Sequence, residues 1–220
     1  MSDATTPPQS PLKAAIVRVT PFEQNCTLIW NEASKRGAVV DPGGDLDRIF
    51  RGIDEAEIEV EKILLTHGHI DHAGAADELR RELGVKIEGP HKADALLLDN
   101  LEKQGEMYGI PDVRNVKPDR WLDDGDVVTV AGHTFNIFHC PGHSPGSVVF
   151  FDSAQRFALV GDVLFRGSIG RTDFPYGDHD ALIAAIKTKL LPLGDDIAFI
   201  CGHGPPGQFG QERLTNPFLV

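Results

Sequence analysis

The chain is poor in cysteine, methionine, tryptophan and tyrosine, with 3, 2, 2 and 2 of them in 220 residues. Cys26, Cys140 and Cys201 are odd in number and far apart, which excludes a disulfide scaffold and suits a reducing compartment; the cytoplasm is the expected location. Long apolar runs are also missing. None approaches the roughly 18 to 20 residues that cross a bilayer, so no membrane partner is expected. Met1 to Leu12 is rich in Pro, Ser and Thr, carries Asp3, and has neither the basic start nor the apolar middle of a signal peptide. Residues 1–12 therefore read as a flexible tail, and 13–220, without a shift in composition, as one domain. Positive charge is scarce and dispersed: 21 Lys and Arg stand against 33 Asp and Glu, a formal net charge of -12. Such a surface repels phosphate backbones and excludes nucleic acid. An anionic small molecule stays open as a partner, because it responds to nearby cations and metal ions more than to the distant total. A homodimer is neither required nor excluded.

Histidine is what the chain concentrates. Thr66-His67-Gly68-His69-Ile70-Asp71-His72-Ala73-Gly74 places three imidazoles and a carboxylate within six consecutive positions. Neutral imidazole and ionised carboxylate are the ligands that zinc and iron prefer, so a metal site is expected. The preceding Val60 to Leu65 is an apolar run of strand length, and Ala73 to Leu83 has helical spacing, which puts the cluster on a strand-to-helix turn. On a chain still extended there, His67 and His69 point to one side, while Asp71 and His72 carry the turn to a neighbouring point. Four ligands so close in sequence do not all reach one ion. Two adjacent metal positions are the natural reading.

Around this turn the pattern alternates between strand and helix. Ala14 to Val19, Cys26 to Trp30 and the run ending Val39-Val40-Asp41-Pro42-Gly43-Gly44 read as an opening meander. Asp45 to Ala56 reads as a helix, Val85 to Glu88 as a brief strand, and His91 to Lys103 as a further helix. Gln104 to Arg120 has no clear period. Such a segment is either a binding loop, with Met107, Tyr108 and Arg114 as candidate substrate contacts, or a merely solvated one. Val127 to Val130, Thr134 to His139, Ser147 to Phe151 and Phe157 to Val160 follow as strands, then a helix from Asp178 to Leu191 and a strand from Ile197 to Cys201. Asp41, at the end of its strand, either orients a ligand histidine through the second ring nitrogen or makes an Asx turn.

Three further ligand candidates stand at strand ends beside glycine: His143 in His139-Cys140-Pro141-Gly142-His143, Asp162 in Val160-Gly161-Asp162, and His203 in Cys201-Gly202-His203-Gly204-Pro205. Strand ends let a rigid sheet aim side chains into one crevice, and small neighbours let the backbone approach an ion. With the first cluster they make seven. His91, His133, His139 and His179 have no partner pattern and read as structural or exposed, and Cys140 and Cys201 as small buried residues.

In this order of motifs the chain resembles the metallo-β-lactamase fold hydrolases, in particular their compact glyoxalase II-like (hydroxyacylglutathione hydrolase-like) branch, from about Lys13 to beyond His203. The resemblance implies an α+β fold, a four-layer αββα sandwich. It implies two divalent ions, zinc, iron or mixed: His67, His69 and His143 on the first, Asp71, His72 and His203 on the second, with Asp162 bridging. It implies a hydrolase in which Asp71 orients a metal-bound hydroxide, the substrate being a small thioester, S-lactoylglutathione, cleaved to lactate and glutathione. The leaving thiol has a pKa of about 8.5 to 9 by analogy with cysteine, so no separate general acid is needed. The family's full-length enzymes use a helical C-terminal domain for glutathione, and the 17 residues after His203 (220 minus 203) leave no room for one, so weaker glutathione binding is expected. In the run Gly167 to Phe174, Arg171 either meets a substrate carboxylate or braces Asp173. Asp162 speaks against a true β-lactamase. The alternatives are a mononuclear iron persulfide dioxygenase using His67, His143 and Asp162, a lactonase on the same fold, and a metal-stabilised binding module.

Overall fold

The computed structural model describes residues 10–220. The opening meander is β1 (Leu12–Val19), β2 (Gln24–Asn31) and β3 (Arg36–Val40), antiparallel throughout. The chain then crosses over α1 (Leu46–Ala56) to β4 (Glu59–Leu64), and over α2 (Ile70–Ala73) and α3 (Ala76–Leu83) to β5 (Lys86–Glu88). Both crossovers make parallel pairs, completing a five-stranded sheet in chain order. After α4 (Ala95–Leu98) and α5 (Leu101–Tyr108) comes a second meander, β6 (Val127–Val130), β7 (His133–His139), β8 (Val148–Asp152) and β9 (Phe157–Gly161). A small hairpin, β10 (Leu164–Phe165) and β11 (Ser168–Ile169), precedes α6 (His179–Ala185), which continues through a π turn, Ile186–Leu190, and a 3-10 turn, Leu191–Leu193. Then β12 (Ala198–Cys201) joins β9 in parallel, β13 (Gly207–Gln208) pairs with β12, and α7 (Phe209–Thr215) follows.

Burial explains why these elements stack in four layers. β8 is buried on both faces, as its near-continuous apolar run requires, and β2 is buried on both faces although it opens with the polar Gln24 and Asn25. Three cores result. One, with Ile49, Ile53, Ile63 and Leu79, lies between the first sheet and its helices. Another, with Ile29, Leu64, Phe135 and Phe150, lies between the two sheets, and the last, with Val160, Leu182, Ile186 and Phe199, lies between the second sheet and α6. The α+β, αββα arrangement is the expected one. No helix among the described residues is long and apolar enough to cross a membrane.

Some boundaries differ from the expected ones, for local reasons. The helix after the histidine cluster starts earlier, at Ile70, and breaks at Gly74 and Ala75, where Gly74 packs on Gly43. The expected helix 91–103 is a 3-10 turn, Lys92–Asp94, followed by α4 and α5. α5 runs on to Tyr108, into the expected loop, because Gly105 sits tightly on Val113 and Ile110, a tertiary contact that no local propensity encodes. Of the expected tail, residues 1–9 lie outside the described residues. Ser10 to Leu12 are tied down: Leu12 pairs with Asn31, the Pro11 carbonyl accepts from Glu32 N–H, and Ser10 Oγ from Ala33 N–H.

Candidate metal centre

The strand ends deliver the candidate ligands to one edge of the sandwich. Beyond β4 the chain stays extended through His69 (φ -72°, ψ 150°) before α2 begins, so His67 and His69 share one side while Asp71 and His72 lie in the first helical turn. His143 comes from the β7–β8 connection, Asp162 directly follows β9 and His203 follows β12. The two sheets are laced together here by Val148 N–H to Thr66 O (2.8 Å) and Asn25 N–H to Gly202 O (2.7 Å).

Five imidazoles present a lone pair to a common space, because the other nitrogen of each has a fixed acceptor. Asp41 Oδ2 accepts from Thr66 Oγ1–H (2.6 Å), so that hydroxyl in turn accepts from His67 Nδ1–H (3.0 Å). His72 Nδ1–H donates to Asp41 Oδ2 (2.9 Å), His143 Nδ1–H to Arg171 O (2.9 Å) and His203 Nδ1–H to Phe22 O (3.1 Å). His69 Nε2–H donates to the Tyr176 hydroxyl (2.8 Å). The inner nitrogens then converge: His69 Nδ1 lies 3.1 Å from His67 Nε2 and 3.0 Å from His143 Nε2. In the second group His203 Nε2 is 3.2 Å, and His72 Nε2 3.8 Å, from Asp71 Oδ2. Within each three-ligand group the donor atoms all lie within 4.8 Å of one another. Asp162 stands between the groups, 3.4 Å from His72, 3.5 Å from His143 and 3.6 Å from His203. Asp41 is close to His67 and His72 as well, but it serves their outward sides.

The electrostatics divide the groups. Burial, then the imidazoles around it, holds His67 well below 6.5, and burial with His143 pushes His69 down to about 3. His143 is lowered by burial too. Burial also pulls on His72, yet Asp162 and Asp71 outweigh it and raise the group well above 6.5; His203 is raised in the same way, by the Asp71 hydrogen bond and Asp162. Asp71 and Asp162 are lowered: burial acts upward, but His72 and the other imidazoles prevail. The residues fit a pair of cations. His72 Nε2 and Asp162 Oδ1 are buried without a hydrogen-bond partner, a cost of about 1–3 kcal/mol each that an ion between them would remove. Gly202 keeps the space open, since a Cβ there would collide with Asp162 Oδ1 and the His72 ring.

Above the ligands opens a cavity of about 750 Å³, with Phe22, Tyr108, Phe174 and Tyr176 on its walls and Arg166 and Arg171 on its border. Of the loop candidates, Tyr108 lines this cavity; Met107 does not, and Arg114 lines a separate groove. Arg171 braces Asp173 through two 2.7 Å hydrogen bonds and lies over the Phe174 ring. Asp41 accepts hydrogen bonds from Thr66 and from His72 Nδ1–H, so its carboxylate does more than shape a turn. His133, read as structural or exposed, is fully buried against Asp152, and His91 stacks on His139. Cys26, Cys140 and Cys201 are free and buried.

Four supporting residues go beyond the sequence reading, in which Gly202 stood only as a small neighbour of His203. Thr66 relays Asp41 to His67, Tyr176 holds His69, and Gly202 admits Asp162. Asp94, fully buried, accepts from Gly68 N–H (2.7 Å), Gly146 N–H and Ser144 Oγ–H (2.8 Å), stitching the two histidine-bearing loops together. Burial pushes its carboxyl up to about 6 against those donors. Thr66 had one signal, its place beside His67; Asp94 looks like any polar residue of an amphipathic helix.

Residues 19–203 match the family described as the metallo-beta-lactamase superfamily. A Haemophilus influenzae protein named hydroxyacylglutathione hydrolase GloC is 46% identical over 205 residues, covering 93% of this chain and 96% of its own. Two solved structures superpose over nearly the whole chain. BLEG-1, described as a B3 metallo-beta-lactamase, has a TM-score of 0.86 at 36% identity, covering 94% of this chain and 100% of its own. TTHA1623, in a di-iron-bound form, has 0.82 at 34%, covering 93% and 100%. With the four-layer fold and the histidine and aspartate clusters in place, these likenesses establish that the chain belongs to the metallo-beta-lactamase superfamily, as a metal-dependent hydrolase.

Proposed function

We propose that the chain hydrolyses a glutathione-type thioester, S-lactoylglutathione to lactate and glutathione, at a site holding two divalent ions, zinc, iron or one of each. The observation that carries this reading is the convergence of five imidazole lone pairs and two carboxylates, in two groups around Asp162, at the floor of an open aromatic-walled cavity. His67, His69 and His143 would hold one ion and Asp71, His72 and His203 the other, with Asp162 shared. The name of the H. influenzae relative supports the choice of thioester. A cytoplasmic setting agrees with three free, buried thiols.

Such a pair of ions, when bound, acidifies water to near neutral pH and polarises a carbonyl. The chain's own residues do the rest. Asp71, ionised and partly exposed to the cavity, orients the attacking water by accepting one of its hydrogen bonds. Asp41 and Thr66 keep His67 and His72 in the tautomers that face inward. Phe174 and Tyr176, stacked with ring centroids 5.3 Å apart, shield His69 from bulk water. Water gives up a proton to the solvent of the open cavity as it adds to the acyl carbon, the C–S bond breaks, and its electron pair leaves on sulfur as a thiolate without a general acid.

The test is thiol release from S-lactoylglutathione without oxygen, beside oxygen uptake with glutathione persulfide, on protein of measured metal content. Anaerobic release with close to two ions per chain is expected. Rapid oxygen uptake on a single iron, with no thiol released, would overturn the reading. A lactone belongs in the same panel, and so does a cephalosporin, because a 36% identical neighbour is described as a B3 metallo-beta-lactamase.

A further inference from the structure

We propose that Arg166 anchors a carboxylate on the thiol-bearing half of the substrate, and that the polar groove beside it receives that half. The inference rests on the thioesterase reading. Arg166 stands four residues after Asp162, in the two-residue turn between β10 and β11, with an exposed side chain. It borders both the cavity over the metal ligands and a neighbouring groove formed with Gln208, Gln211 and Thr215. The other cation on the cavity border, Arg171, is committed to Asp173. Among the described residues that line the cavity, Arg166 is the one cation without a carboxylate partner.

The turn that presents it is held from below. Glu212 Oε2 accepts from Gly167 N–H (2.7 Å) and from Asn216 Nδ2–H (2.9 Å), and Asn216 Nδ2–H also donates to Ser168 O (2.9 Å). Glu212 and Asn216 are 1% and 0% exposed. Two buried polar side chains thus fix the backbone of an exposed arginine, and a group held in advance loses less freedom when a ligand arrives. In a chain of net charge -12, an unpaired guanidinium beside the reaction centre favours an anionic ligand locally. The planar fork matches a carboxylate, and the two glutamine amides of the groove match the peptide groups that a glutathione-type thiol carries. This places recognition of the leaving group on the β10–β11 turn and the face of α7.

The experiment uses metal-replete enzyme and two thioesters with the same acyl group, S-lactoylglutathione and S-lactoyl-N-acetylcysteamine, the second lacking carboxylates. In Arg166→Gln the preference in kcat/KM for the glutathione thioester over the other should fall about tenfold, the effect of one charge-assisted pair, and the change should lie in KM. Arg166→Lys, which keeps the charge and loses the fork, should retain part of the preference. An equal change on both thioesters, or none on either, overturns the assignment. Equilibrium binding of glutathione gives a readout independent of turnover, expected to weaken by about the same factor in Arg166→Gln. Arg166-dependent glutathione binding without cleavage of either thioester would uphold this assignment and remove the hydrolase reading. Cleavage of S-lactoylglutathione that ignores Arg166 would do the reverse.

Discussion

Replacing Asp41 by asparagine exchanges one oxygen for an NH2 group, and the hydrogen-bond pattern turns that small change into two misprotonated ligands. The carboxylate accepts three donors: Thr66 N–H at Oδ1, and Thr66 Oγ1–H and His72 Nδ1–H at Oδ2. If the asparagine carbonyl stays on Thr66 N–H, the amide NH2 faces the hydroxyl and the imidazole as a donor. His72 must then accept at Nδ1 and carry its proton on the inner Nε2. The Thr66 hydroxyl reverses as well, donating to His67 Nδ1 and sending the His67 proton inward. One ligand in each group is blocked. In the opposite amide orientation, NH2 faces Thr66 N–H, two donors in a buried site, at a cost of about 1–3 kcal/mol. That clash of donors disfavours the second orientation, so the first prevails and each ion should bind about 10- to 100-fold more weakly. Competition with a chromophoric chelator measures the affinities, and 15N chemical shifts of the metal-free protein at alkaline pH, where His72 is neutral, report the tautomers directly. Two ions bound with wild-type affinity, or a His72 still protonated at Nδ1, would refute the argument.

Asp162→Ala removes the one carboxylate among the described residues that faces both groups, so at least one ion and nearly all turnover should be lost; metal analysis showing two ions and near-normal rates would contradict the shared role. Gly202→Ala should have a similar effect without removing any ligand, because the new methyl occupies the space of Asp162 Oδ1 and the His72 ring, and a variant with full metal content would show that the loop yields. Acidification should release the ions in order. In the metal-free protein His72 and His203 are raised above 6.5, so protons compete for them at higher pH than for His67, His69 and His143, which lie below it, His69 at about 3. Each pH unit below a ligand's pKa weakens apparent affinity about tenfold, so the ion at Asp71, His72 and His203 leaves first. Metal content after dialysis at stepped pH checks this, and loss of both ions together would count against it.

The strands were legible because they follow from apolar periodicity, whereas their stacking in four layers was an implication of the family resemblance and not of the pattern itself. β3, β8 and β9 sit within one residue or so of their expected bounds, since a strand buried on both faces announces itself as a continuous apolar run; β4 is as close although Glu61 and Lys62 interrupt its run and only its end is buried. The failures are of another kind. α7 follows Pro205-Pro206-Gly207 and contains Gly210, a sequence that reads as loop, yet Phe209 is fully buried in the core under α6 and holds the helix there. α5 outruns its expected end for the same reason, tertiary packing around Gly105 outweighing weak local signals.

The site divides along the same line. Residues that would face the ions are legible because their chemistry is rare: three histidines and an aspartate within six positions have few other uses. Residues that orient them are common ones in common places. Asp41 reads equally as an Asx turn, and only the fold brings its carboxylate, 31 positions away in sequence, to His72 Nδ1 at 2.9 Å. Asp94 is the stronger case. It lies between the two histidine-bearing loops at distances of 26 and 50 residues from Gly68 and Ser144, and nothing local marks it. A metal centre built on loops from four strand ends must hold those loops in register, and backbone N–H groups near the ligands supply the handles. A single buried carboxylate can grip both loops at once, where an amide would present a donor to at least one N–H. The ligands thus depend on carboxylates placed behind them, and those are found by asking where the N–H groups of Gly68 and Gly146 go rather than by inspecting the motif itself.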